Sequence, residues 1–112
     1  RAHPANPGRL KHQQLDSFIR DLHRLSQAER DRFSDVVRQD FHPACERFAR
    51  DPSTPWPRGL RVKRVRGYAS IWEMTWSFAG SDGRATFEWV DVDGELAVRW
   101  RRIGGHEIFD HP

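Results

Sequence analysis

Three groups of residues in this chain have side chains that could do chemistry. Glu73 and Arg84 fall on neighbouring period-two segments at outward positions that can meet across a hairpin. A carboxylate beside a guanidinium suits a base next to a phosphate-binding cation. The plain alternative is an exposed cross-strand ion pair, which contributes little. Arg101 and Arg102 precede Gly104, Gly105 and His106. Glycines let the backbone turn sharply or approach a ligand, and a histidine can exchange a proton near neutral pH. The alternative there is a hairpin end with a surface histidine. Arg58, Arg61, Lys63, Arg64 and Arg66 form a run of cations with no acidic residue between them. Such a run suits contact with a nucleic-acid backbone, or else protects an edge strand from aggregation.

The remaining histidines, His3, His12, His23, His42 and His111, match no metal motif, so no metal site is expected. Phosphate-binding loops, dinucleotide fingerprints and nucleophile elbows are absent from the sequence, and no cofactor is implied. Cys45 is the single cysteine, which excludes an internal disulfide framework and a cysteine-cluster zinc site. It fits a reducing compartment.

These residues belong to a chain of 112 amino acids, enough for one domain. It is 37% hydrophobic and 31% charged, and its five Trp and seven Phe supply the apolar bulk that disordered chains lack. No apolar run approaches the ~20 residues of a membrane span. A secretory leader is not read either, although the sequence opens on Arg1 rather than methionine. The net charge is +3, and of 19 basic residues only Lys11 and Lys63 are lysines. Guanidinium is the better fork for phosphate, so the placement of the arginines matters more than their sum.

Residues 1–10 read as a tail or the end of a linker. Leu15, Phe18, Ile19, Leu22 and Leu25 form one helical stripe, and Phe33, Val36, Val37 and Phe41 a second. Between them Ser26 and Glu29 match a capping box, so the two helices are expected to form an antiparallel hairpin. Pro43 should kink or end the second helix, or open a third. Residues 51–59 hold three prolines and a glycine and separate helix from strand. Four strands are expected, over residues 60–66, 71–78, 84–92 and 95–103, with a turn at Gly80–Gly83 and a tight hairpin at Asp93-Gly94. Residues 106–109 read as a short tail. The fold class is therefore α+β, with a helical hairpin on one face of a four-stranded antiparallel meander. Trp72, Trp76, Phe87 and Trp89 should be buried under the helices, and Trp56, between two prolines, is the aromatic left for the surface. Glu73, Thr75, Arg84, Thr86, Glu88, Arg99 and Arg101 should occupy the open face.

Read together, LRVKRVRGYASIWEMTW, GRATFEWV and VRWRRIGGHEIF resemble the RelE/ParE superfamily of bacterial toxin–antitoxin toxins, over about residues 15–109. The resemblance implies a RelE-like fold whose sheet is mainly antiparallel and, in the family, a strand before the first helix; none is read here. It implies two activities on one fold, cutting of mRNA on the ribosome and poisoning of DNA gyrase, between which the fold cannot choose. Arg84 matches the arginine that opens the third strand, His106 lies near a basic or histidine position after the last, and Phe109 falls where many members have tyrosine. Glu73 matches a glutamate of the family's second strand, where some nucleases carry lysine. The expected function is a metal-independent, ribosome-dependent mRNA endonuclease toxin of the cytoplasm, with Glu73, Arg84, Arg101, Arg102 and His106 catalytic. Arg58, Arg61, Lys63, Arg64 and Arg66 would hold RNA. The implied partners are a cognate antitoxin, mRNA and the ribosome, with no membrane. The alternative is a non-catalytic module that binds gyrase or only an antitoxin.

Overall fold

Polar residues at one edge and aromatic residues at the centre set how this chain folds. The structure, a computed structural model, describes residues 10–77 and 82–112; residues 1–9 of the expected tail, Phe78 and the first two residues of the expected 80–83 turn lie outside them. The elements run β1 (Lys11–Gln14), α1 (Asp16–Arg24), α2 (Gln27–Val36), a π-turn (Val37–Phe41), α3 (His42–Arg50), β2 (Lys63–Arg64), β3 (Trp72–Ser77), β4 (Asp82–Val92) and β5 (Glu95–Gly104). Short 3₁₀ turns lie at Arg58–Leu60, between α3 and β2, and at His106–Asp110, after β5.

The capping box forms as expected. Glu29 N–H donates to Ser26 Oγ at 3.1 Å, and Ser26 N–H donates to Glu29 Oε1 at 2.9 Å. Pro43 neither ends the helix nor kinks it alone. Lacking an N–H and crowding the carbonyl four residues before it, proline is relieved by a wider turn. Accordingly His42 N–H reaches back five residues, to the Val37 carbonyl, and α3 continues with proline in its first turn.

The expected hairpin of helices is not what forms. α1 lies along β5, while Phe33, Val36, Phe41 and Cys45 enter the core from the second helical stretch. Trp100 is the reason. Its indole meets both Phe18, at 5.7 Å, and Phe33, at 5.1 Å, so each stripe finds a sheet aromatic rather than only the other helix.

The sheet has five strands, not four, in the order β1-β5-β4-β3-β2, and is mixed, because β1 pairs parallel with β5. A strand before the first helix is therefore present, contrary to the reading of the sequence. Its residues, Lys-His-Gln-Gln, show no apolar alternation because it is an edge strand with three of four residues exposed. Leu10, expected in the tail, is buried and anchors it. The strand expected over 60–66 shrinks to two residues, since Arg61 takes a left-handed conformation (φ 46°) and a turn begins at Val65. Asp93 (φ 53°) and Gly94 (φ 83°) make the expected tight turn.

Phe18, Phe41, Met74 and Phe87 are fully buried, and Trp76 and Trp100 nearly so. Trp72 and Trp89 are only half-buried, at the margin, where Phe48 stacks on Trp89 at 5.4 Å. Trp56 is not left to solvent. It stacks on Phe48 at 5.0 Å and stands 6.3 Å from Trp89, in the same cluster. The outer face is not wholly open either: Thr75 and Thr86 are buried, and Thr86 Oγ1 donates to the Pro112 main-chain oxygen at 3.2 Å.

Candidate active site

Strand parity builds the site. On β2 and β3, Lys63 lies opposite Glu73; on β3 and β4, Glu73 lies opposite Thr86 and Thr75 opposite Arg84. Glu73 and Arg84 thus share the outer face diagonally rather than directly across. Gly104 ends β5 opposite Arg84 and offers no side chain there. The chain then turns, and its 3₁₀ turn carries His106 and Phe109 to the same place. The result is a hollow of about 310 Å3 lined by Lys63, Val65, Arg66, Glu73, Arg84, His106 and Phe109.

Phe109 organises two of the polar groups. The Arg84 guanidinium carbon stands 5.7 Å from its ring centroid, and the His106 ring makes a T-shaped contact with it at 5.3 Å and 84°. Burial raises the Glu73 carboxyl above its usual range, against the opposing pull of Lys63, Arg84 and His106. Three basic groups therefore act on one carboxylate that still takes up a proton more readily than usual. The hollow holds a proton acceptor, a group able to give a proton, and fixed positive charge.

The other expected site residues go elsewhere. Arg101 does not line the hollow; its Nη1 donates to Glu88 and its Nε to the Pro112 main-chain oxygen, both at 3.0 Å. Arg102 turns to α1, donating to both oxygens of the buried Asp21 at 2.6 and 3.2 Å. Those bonds hold its guanidinium more firmly protonated than usual, against its partial burial. Asp21 is a carboxylate held in the interior. It is buried because it also accepts from Ile103 N–H, on the edge of β5 that β1 is too short to cover.

The backbone divides the basic run too: parity separates Lys63 from Arg64, and the turn after β2 brings Arg66 to the side of Lys63. Lys63 and Arg66 line the hollow. Arg64 lies over the Trp72 ring at 5.3 Å, on the opposite face. Arg61 pairs with Asp82 at 3.1 Å, and Arg58 is exposed in its 3₁₀ turn. Val65 is not marked by the sequence, and Phe109 only by the position that the resemblance matches to a family tyrosine. Val65 follows the last residue of β2, and no periodicity marks either side chain.

Among the described residues no group of three or more His, Cys, Asp or Glu is placed to hold a metal ion. Two spare histidines do have a defined arrangement away from the hollow. Trp100 Nε1–H donates to His12 Nδ1 at 3.1 Å, which leaves the His12 proton on Nε2, 2.8 Å from His42 Nδ1. Glu46 lies 3.7 Å from His42 Nε2. Much of His12 reaches solvent by area, yet its ring is flanked by Trp100 and Phe41, and burial, then His42, pushes its pKa down to about 4.

No helix among the described residues is long and apolar enough to cross a membrane. No protein-family model, curated protein or solved structure matches this chain.

Proposed function

We propose that this chain is a RelE/ParE-like toxin that cleaves mRNA, bound to the ribosome, in the cytoplasm, and that a cognate antitoxin restrains it. The observation that carries the reading is the meeting of Glu73, Arg84, His106, Lys63 and Arg66 in one hollow. The strand β1 before α1, which the superfamily has, supports it as well.

The chemistry needs no group beyond these. Glu73 takes the proton of a ribose 2′-hydroxyl, and that oxygen bonds to the adjacent phosphorus. The bond from phosphorus to the 5′ oxygen breaks, and protonated His106 gives its proton to the leaving oxygen. The products are a 2′,3′-cyclic phosphate and a 5′-hydroxyl. Arg84 stabilises the charge that builds on the phosphate oxygens, and Lys63 and Arg66 hold the backbone on either side. The second reading, a gyrase-binding or purely antitoxin-binding module, draws on the same resemblance. Induced expression with separate readouts of translation and DNA supercoiling separates the two. Loss of translation with cut message supports the nuclease, and altered supercoiling with intact message supports the alternative.

A further inference from the structure

The hollow is closed on one side by a segment whose far end is held elsewhere. His106–Asp110 is a single 3₁₀ turn with long hydrogen bonds, Ile108 N–H to Gly105 O at 3.3 Å and His111 N–H to Ile108 O at 3.2 Å. Short 3₁₀ turns are weak by themselves. Its near end is fixed by Gly105 N–H donating to Glu107 Oε1 at 3.0 Å and by the burial of Ile108. His106 is exposed and Phe109 half-buried, so packing of their own rings does not hold them.

The far end is fixed by two consecutive arginines of β5. Between Thr86 and Phe87 the β4–β5 register slips: Thr86 faces Arg102 and Phe87 faces Trp100, leaving Arg101 as the extra residue. Such a bulge re-aims the side chains beside it. Arg101 and fully buried Thr86 both donate to the Pro112 main-chain oxygen, at 3.0 and 3.2 Å. Arg102 Nη1 donates to the His111 main-chain oxygen at 3.0 Å. Each guanidinium is gripped from its other side by a carboxylate, Glu88 for Arg101 and Asp21 for Arg102. A rigid planar fork serves a carboxylate and a carbonyl at once in a preset geometry, which the flexible point charge of a lysine does not fix.

We infer that Arg101, Arg102 and Thr86 are positioning residues that pin the segment's far end across the sheet and so hold His106 and Phe109 against Glu73 and Arg84. The pin itself stands on geometry alone; its effect on cleavage rests on the reading of the hollow given above.

The test uses the whole chain with Arg101→Gln and, as a second variant that keeps the side chain's shape and changes no charge, Thr86→Val. The His106-to-Phe109 ring contact is read by NMR, and cleavage of ribosome-bound message by kcat and KM. Both variants should weaken the ring contact and lower kcat by roughly 10- to 100-fold, the scale of a misplaced group, with KM within about twofold. His106→Ala added to Arg101→Gln should cost little more, because both remove one function. Arg101→Lys should restore only part of the loss. A ring contact unchanged in both variants, or losses from Arg101→Gln and His106→Ala that multiply, overturns the inference. If the wild type cuts no RNA, the ring contact still decides the pin, and the nuclease reading falls by itself.

Discussion

Glu73 is where opposed effects on one residue can be measured. Burial raises its carboxyl pKa while Lys63, Arg84 and His106 pull it down, and burial prevails. Cleavage should therefore rise with pH through a range above that of an ordinary carboxylate, and Glu73→Gln should abolish that limb of the pH–rate profile. Stability should move the other way. A raised folded-state pKa favours the fold below the unfolded value, and that benefit is lost as pH rises through the folded one. In thermal melts, Glu73→Gln should therefore gain on the wild type as pH rises across that window; a difference independent of pH would contradict the shift. Glu73 and Arg84 were legible as a pair because period-two alternation survives folding. The roles first read for Arg101 and Arg102 were not, because one extra residue at the bulge re-aims both, and nothing in Trp-Arg-Arg-Ile announces a bulge.

Among the elements, β3, β4 and β5 were legible to within about two residues, since long runs alternate and the Asp93-Gly94 turn fixes their register. Trp76→Ala should cost roughly 3–5 kcal/mol in denaturant melts, the scale for a fully buried aromatic. Trp72→Ala, at the half-buried margin, should cost clearly less, and equal costs would contradict the packing. β1 was illegible because an exposed edge strand needs no apolar face. Besides buried Leu10 and the pairing with β5, it is held through His12, which bridges Trp100 and His42. A histidine with a lowered folded-state pKa contributes stability that is full above its unfolded value of 6.5 and lost as pH falls toward about 4. The wild-type melting temperature should fall across that window more steeply than that of His12→Phe. Parallel pH curves for the two would remove β1's histidine link from the account.

For the whole molecule, charge is distributed rather than pooled. Of the five cations in the run at 58–66, only Lys63 and Arg66 reach the hollow, joined there by Arg84 from β4. RNA affinity should thus fall with salt by about 2 log units per log salt, three contacts at roughly 0.7 each. A slope near zero would leave no role for phosphate contact. The most direct test of the central claim is primer extension on ribosome-bound message with wild type, Arg84→Ala and Glu73→Gln, each checked by thermal melt. The wild type should cut. Arg84→Ala should cut roughly 100- to 1000-fold more slowly, the scale for losing one preorganised charge-stabilising donor, with the fold retained. Cutting unchanged by Arg84→Ala, or no cutting by the wild type, would contradict the assignment of this hollow to RNA cleavage.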